Sequence, residues 1–199
     1  IIDEANKNLY DGVTEEDART SLVMTSRTLV EQEPNYTYVT ARILLDNIRT
    51  EALSYLGMQK QATQKEMEGL YPQALRNFLA KGVENEILNP ELLEMDIDKL
   101  GQAIDSSRDT EFTYLGLQTL YDRYFIHDTE VRYELPQVFF MRVSMGLALR
   151  EDNREDRAIE FYNLLSSFDY MSSTPTLFNS GTKHSQLSSC YLTTVPDDL

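Results

Sequence analysis

The strongest constraint on the fold is a helical repeat of apolar residues that recurs along most of the chain. Between residues 38 and 55, apolar side chains recur at alternating steps of three and four, at Tyr38, Ala41, Leu45, Ile48, Ala52 and Tyr55. This spacing places them on one face of a helix. Residues 137–149 are apolar almost all round, which is typical of a helix at the centre of the packing. The sequence therefore predicts a mainly α fold.

Start and stop signals set the bounds of the predicted helices. Thr14 is a suitable N-cap because three acidic residues follow it, where the helix dipole favours them. That helix is expected to bury Ala18, Leu22 and Leu29. Asn35 caps the next helix. The signals predict helices over residues 15–32, 36–56, 60–81, 91–100, 137–149 and 157–167, after the end of another helix within residues 1–10.

Two short features interrupt the helical pattern. Arg108 lies between Asp105 and Asp109, which indicates a salt-bridge cluster at a helix start rather than a catalytic group. Residues 124–134 alternate around Asp128-Thr129 and predict a small β-hairpin with His127 exposed at its tip. The chain has only two histidines, so no metal-ligating constellation is predicted.

Composition excludes several classes of function. With 199 residues, 41% of them hydrophobic, the chain can bury a core of one domain or one and a half. A net charge of −15 argues against a nucleic-acid partner, which needs clustered Lys and Arg. No apolar run approaches the roughly 20 residues of a membrane span. A single cysteine fits a reducing cytoplasm. The chain does not begin with Met, and we expect a piece of a longer protein.

Residues 172–192 differ from the rest of the chain because hydroxyl side chains crowd around one proline, one glycine and the only cysteine, Cys190. We interpret this segment as a shaped site with a buried strand at each end. Hydroxyls and backbone N–H groups there can bind phosphate or sugar oxygens, and a cysteine reacts as its thiolate. The alternative from the residues alone is that Cys190 is an inert buried thiol.

Three blocks of sequence carry a resemblance to a known family. The first is Thr-Pro-Thr-Leu-Phe-Asn-Ser-Gly-Thr at residues 174–182 with Gln-Leu-Ser-Ser-Cys-Tyr-Leu at residues 186–192. The second covers residues 104–124, and the third joins residues 10–14 to residues 35–42. In this order they resemble the N-terminal part of the large (alpha) subunit of class I ribonucleotide reductases. The resemblance covers nearly the whole chain.

The resemblance implies an activity. Such enzymes reduce ribonucleoside diphosphates to 2′-deoxyribonucleoside diphosphates by a radical mechanism. A redox-active cysteine pair supplies the electrons, and Cys190 matches its first member, whose partner is absent from the chain. Thr174, Thr176, Ser189 and Cys190 match substrate-binding positions. Asp197, Asp198 and Leu199 match the start of an allosteric effector site that binds a deoxynucleoside triphosphate such as dTTP.

The resemblance also implies a domain division. Residues 1–57 would be the end of an ATP-cone-like regulatory region that senses ATP or dATP, with an effector contact at Thr14. Thr50 stands where relatives can carry a lysine, so the alternative is that these helices only pack. Residues 58–168 would be the helical N-terminal domain, and residues 169–199 the start of a ten-stranded α/β catalytic barrel.

The implied partners are a separate small (beta) subunit with a radical-generating metal cofactor, thioredoxin or glutaredoxin, and a second copy of the full subunit. No cofactor is expected in this chain. A second hypothesis is a non-catalytic helical module, regulatory or for assembly, that docks on a catalytic partner.

Overall fold

The computed structural model describes residues 1–129 and 131–195, and within them the fold is mainly α, as predicted. Its α-helices are α1 Ile2–Asn6, α2 Glu15–Thr28, α3 Tyr36–Tyr55, α4 Gln64–Glu84, α5 Ile97–Gln102, α6 Tyr114–Arg123, α7 Pro136–Ala148, α8 Arg154–Ser166 and α9 Thr174–Asn179. Short 3₁₀ helices cover Leu29–Glu31, Pro90–Glu94 and Ser106–Glu111. No helix in this described part of the chain is long and apolar enough to cross a lipid bilayer.

Side-chain caps explain why α2 and α4 begin where they do. The Thr14 hydroxyl accepts a hydrogen bond from the Asp17 backbone N–H at 3.1 Å, which confirms the predicted cap. Thr63 and Glu66 form a reciprocal capping box, in which the Glu66 carboxylate accepts from the Thr63 N–H at 2.8 Å. These bonds satisfy N–H groups that a helix start otherwise leaves without partners. Asn35 precedes α3, but its side chain makes no capping bond.

Helix α7 lies at the centre of the core, as its sequence predicts. It packs against α8 and α4, while α3 packs against α2 and α6. Phe139 and Phe140 are fully buried, and their rings meet edge to face with centroids 5.1 Å apart. On α2 the buried side chains are Val23, Thr25 and Ser26, whereas Ala18, Leu22 and Leu29 are only half-buried. The predicted burial of those three residues is therefore incomplete.

The predicted β-hairpin is present, although its strands are short. Strands β1 His127–Asp128 and β2 Val131–Arg132 pair antiparallel. His127 is exposed as predicted, but it lies within β1, where it pairs with Arg132, and does not lie at the tip. Two hydrogen bonds attach the hairpin to α3. The Tyr55 hydroxyl donates to Asp128 at 2.6 Å, and the Arg132 backbone N–H donates to Glu51 at 2.7 Å.

The predicted cluster of Asp105, Arg108 and Asp109 is wrong for Asp109. Arg108 lies 3.5 Å from Asp105, but Asp109 is buried and pairs with Arg49 of α3 at 2.8 Å. Asp109 also accepts hydrogen bonds from Tyr71 and Gln137. The reason is that a buried carboxylate needs several donors, and neighbouring helices supply them here.

We call Arg49, Tyr71, Asp109, Gln137 and Tyr162 the buried network. It extends to α8 because the Tyr162 hydroxyl donates to Gln137 at 2.9 Å and accepts from the Asp105 N–H at 3.0 Å. Burial raises the pKa of Tyr162 to about 12, so its hydroxyl remains a donor at neutral pH. The buried network thus joins α3, α4, α7 and α8.

The two buried strands predicted at the ends of residues 172–192 are wrong. Thr174–Asn179 is helix α9, and residues 185–195 have no regular structure and are mostly exposed. A strand requires a neighbour to which its backbone groups can bond. Within the described residues the nearest case is one isolated antiparallel bridge between Leu88 and Thr182.

Candidate functional site

Helix α9 carries the two threonines that the sequence assigns to substrate binding. Thr174 is exposed at its first position, and its hydroxyl lies 3.1 Å from the Tyr124 hydroxyl. Thr176 is half-buried, and its hydroxyl lies 3.5 Å from that of Ser173. Residues two apart on a helix do not face each other. The structure therefore brings both threonines to one short helix without placing their side chains in contact.

A cleft of about 510 Å³ lies beside Thr176. It is lined by apolar side chains of α7 and α8, by Tyr170 and by three small hydroxyl side chains; the lining residues are Leu147, Phe161, Leu164, Leu165, Tyr170, Ser172, Ser173 and Thr176. Mostly apolar walls with a few polar groups, at a volume of some hundreds of Å³, are typical of small-molecule sites. The cleft gives the Thr176 hydroxyl a place at which a ligand can meet it.

A buried arginine of α7 holds the far end of α9. Arg142 Nη1 donates to the backbone carbonyls of Leu177 at 3.1 Å, Phe178 at 3.3 Å and Ser180 at 2.9 Å. Its charge is balanced by Glu134, which it meets through Nε at 2.8 Å and Nη2 at 3.1 Å. Both side chains are fully buried. The last carbonyls of a helix have no partner within the helix, and this guanidinium supplies one.

Two glycines let the end of α9 approach α7 closely. A Cβ added to Gly146 would collide with the Gly181 backbone nitrogen and the Ser180 hydroxyl. Gly181 has φ of +78°, a conformation that side chains disfavour. The Ser180 hydroxyl donates to the Val143 carbonyl at 2.6 Å, so the turn after α9 lies directly on the α7 backbone.

Residues 184–195 form an exposed arm after this turn. Asn179 Nδ2 donates to the Gln186 carbonyl at 2.7 Å, and the Thr176 hydroxyl lies 3.5 Å from the Leu187 carbonyl. Ser189 and Cys190 are both exposed. Cys190 is therefore not buried, contrary to the alternative interpretation of it as a buried thiol. In the described residues, Ser189 and Cys190 lie on the same arm but make no hydrogen bond to the threonines of α9.

The predicted effector residues lie in two places. Thr14 is exposed, but its hydroxyl already makes two hydrogen bonds to Asp17. It accepts one from the Asp17 N–H and donates one to the Asp17 carboxylate at 2.8 Å. On α3, the Thr50 hydroxyl donates to the Asp46 carbonyl at 2.9 Å. Arg19 joins this surface through Glu15 and Asp46. The other predicted effector residues, Asp197, Asp198 and Leu199, lie outside the described residues.

In residues 1–129 and 131–195, no three His, Cys, Asp or Glu side chains converge in a way that could hold a metal ion. The chemistry that this part of the chain offers is that of hydroxyls, backbone groups and one accessible thiol. Such groups can bind a sugar or phosphate and can exchange electrons by forming a disulfide.

The functional importance of Arg142 and Glu134 is not predicted above from the sequence. They are eight residues apart, on α7 and just before it, and Arg142 interrupts an otherwise apolar run. A charge inside an apolar helix indicates a buried ion pair, because an unpaired buried charge is costly. That signal can identify the ion pair, but the contact of Arg142 with residues 177–180 can be recognised only from the three-dimensional structure.

Both part of the chain and its whole length resemble known proteins. Residues 110–185, which include α6 to α9, match the family described as ribonucleotide reductase, all-alpha domain. The ribonucleoside-diphosphate reductase subunit alpha of Chlamydia muridarum is 47% identical over 200 residues, covering 100% of this chain and 18% of that protein.

Relatives with lower sequence identity still match nearly the whole of this chain. The corresponding alpha subunit of Helicobacter pylori strain 26695 is 32% identical over 198 residues, covering 98% of this chain and 24% of that protein. The large subunit of Danio rerio is 34% identical over 199 residues, covering 96% of this chain and 23% of that protein. The chain thus spans less than a quarter of the length of these relatives.

The helical body and the match to residues 110–185 define an all-alpha domain of the ribonucleotide reductase type. Because the likeness to large subunits extends over the whole chain, the chain belongs to the ribonucleotide reductase large-subunit family.

Proposed function

We propose that this chain is part of a large subunit that reduces ribonucleoside diphosphates to 2′-deoxyribonucleoside diphosphates for DNA synthesis. The observation that carries the proposal is the match over the whole chain to proteins named ribonucleoside-diphosphate reductase subunit alpha, at 47% identity. The exposed thiol of Cys190, on an arm bonded to the hydroxyl-bearing helix α9, supports it.

Cys190 is proposed as one half of the electron-donating pair. Replacing the ribose 2′-hydroxyl by hydrogen takes two electrons and two protons. Two thiols supply them, so that the hydroxyl leaves as water and the sulfurs join as a disulfide. The chain has one cysteine, so the partner thiol comes from elsewhere in the longer subunit. Thioredoxin or glutaredoxin would then reduce the disulfide, and the 199-residue chain alone would not turn over.

Thr174, Thr176, Ser189 and Cys190 are proposed to contact the substrate. Hydroxyls can donate to phosphate or sugar oxygens, and the exposure of Thr174, Ser189 and Cys190 leaves them available. Thr176 would contact the substrate from the cleft that it lines.

Regulation is proposed to act through nucleotides. Asp197, Asp198 and Leu199 would begin a deoxynucleoside triphosphate site. Thr14 would contact ATP or dATP in residues 1–57, the end of an ATP-cone-like regulatory region. Residues 58–168 would be the helical domain, and residues 169–199 would lead into the catalytic barrel. The full subunit would be a cytoplasmic homodimer and would work with a small beta subunit, whose metal cofactor generates the radical.

The test is turnover by the full-length subunit with its small subunit, measured as deoxynucleotide formed from a labelled ribonucleoside diphosphate. Cys190→Ser removes the thiol and should abolish multiple turnover. Ser188→Ala is the matched control, because it changes a neighbouring exposed residue of the arm, and it should retain most of the activity. Equal activity of the Cys190→Ser and unaltered subunits would contradict the proposal.

A further inference from the structure

Arg142 has the largest side chain among the fully buried residues. It lies on α7, whose other buried side chains are mostly apolar. A buried ion pair is weak evidence for stability, because removing two charges from water offsets much of their attraction. The stability of α7 therefore does not explain why an arginine is present at this position.

The guanidinium of Arg142 instead connects three parts of the chain. Nε and Nη2 bind Glu134, and Glu134 also accepts from the Ile126 N–H at 2.9 Å, just before the β-hairpin. Nη1 points the other way, to the carbonyls of residues 177, 178 and 180. The planar fork of an arginine can bind a carboxylate on one side and carbonyls on the other.

These carbonyls lie at the end of the same short helix that begins with Thr174. Helix α9 has six residues, so fixing its last carbonyls also fixes the position of Thr174 and Thr176 along α7. Backbone hydrogen bonds alone hold so short a helix poorly, because helix formation is cooperative. Other contacts at this end are the buried Leu177, the Ser180 bond to Val143, and the Phe178 ring, whose centroid lies 4.7 Å from that of Tyr124. The Asn89 N–H also donates to the Gly181 carbonyl at 3.0 Å, just after α9. Among all these contacts, Arg142 is the one that binds the carbonyls of residues 177, 178 and 180 together.

We propose that Arg142 is a positioning residue for nucleotide binding. Together with Glu134, it holds α9 at the position along α7 where the Thr174 and Thr176 hydroxyls contact the diphosphate substrate. This inference rests on the proposed function, in which those two threonines contact the nucleotide. Arg142 itself does not touch the substrate, since it is fully buried.

The test compares Arg142→Lys with Arg49→Lys in the full-length, reduced subunit. Both replace a buried arginine that is paired with a carboxylate, Glu134 or Asp109. A lysine keeps the charge but cannot bind both Glu134 and the three carbonyls. Arg142→Lys should weaken the binding of cytidine diphosphate about tenfold, which corresponds to about 1.4 kcal/mol. Arg49→Lys should change it less than about twofold, and both should bind dTTP as the unaltered subunit does.

Hydrogen exchange separates positioning from general stability. In Arg142→Lys, the amides of residues 177–180 should exchange faster, whereas those of α4 should not. If Arg142→Lys does not fold, the pair Arg142→Met with Glu134→Gln leaves no unpaired buried charge and keeps an acceptor for the Ile126 N–H. It should show the same weakened binding of cytidine diphosphate.

Unchanged affinity for cytidine diphosphate in the folded Arg142 variants would overturn this inference alone. Equal loss of affinity in Arg49→Lys would also overturn it, because the effect would then be one of stability. If the unaltered subunit does not bind cytidine diphosphate, the proposed function fails and this inference fails with it.

Discussion

The buried network and the exposed arm both carry polar side chains, but the environments of those side chains are opposite. In the buried network they hydrogen-bond to other side chains, and in the arm they are exposed to solvent. Asp109 accepts from three side chains that come from α3, α4 and α7, and it is almost fully buried. Ser189 and Cys190 of the arm are exposed to solvent. The comparison teaches that most buried polar side chains of the helical body find hydrogen-bond partners within it, with exceptions such as the Tyr133 hydroxyl. We expect the exposed arm, in contrast, to add little to the stability of this chain.

The largest effect should come from the buried network. Asp109→Ala would leave the guanidinium of Arg49 buried without its carboxylate, and we expect a loss of about 3–5 kcal/mol in the free energy of unfolding. Urea unfolding of the 199-residue chain measures it. Asp98→Ala, which removes an exposed partner of Arg76, is the control and should have a much smaller effect. Similar losses in the two variants would break the comparison.

An intermediate effect is expected where the body meets solvent. Thr63→Ala removes the hydroxyl that caps the start of α4, and keeps the backbone N–H that donates to Glu66; the change should cost about 1 kcal/mol. Hydrogen bonds from the Thr63 backbone N–H and, second, from its hydroxyl lower the pKa of Glu66. Thr63→Ala removes only the hydroxyl bond. The stability due to that bond is present above the ordinary pKa of a glutamate and is lost as the pH falls through the lowered value. Unfolding at neutral and acidic pH should therefore show a smaller difference between variant and parent in acid. A difference that grows in acid would contradict this assignment.

The smallest effect should come from the arm. Leu192 is fully exposed, so Leu192→Ser should change the stability of the 199-residue chain by less than about 0.5 kcal/mol. Val138→Ser, which places a hydroxyl in the core on α7, is the matched control and should unfold far more easily. A large loss in Leu192→Ser would show that the arm is part of the folded body.

The helices could be predicted because their signals are local. The repeat over residues 38–55 and the cap at Thr14 each lie within a few turns, and α3 and α2 form there. Asp109 could not be placed, because its partner Arg49 is 60 residues away in the sequence. The strands predicted at residues 172–192 failed for a related reason, since a strand is defined by a neighbour and not by its own residues.

The candidate site was predictable only in part. The hydroxyl-rich composition identified the segment, and the structure gives Thr174 and Thr176 a common helix beside a cleft. Composition could not show that α9 is a helix or that Arg142 caps it from α7. The exposure of Cys190 was not predictable either, because an apolar neighbour such as Leu192 suits both a buried strand and an exposed arm.

The most direct test of the account is the oxidation state of Cys190 after turnover. The full-length subunit is reduced, freed of reductant, and allowed to turn over one equivalent of ribonucleoside diphosphate with its small subunit. Free thiols are then blocked, and the disulfides are located by peptide mass spectrometry. We expect Cys190 in a disulfide with a cysteine outside this 199-residue chain, in proportion to the deoxynucleotide formed. Deoxynucleotide formation with Cys190 still a free thiol would contradict the account.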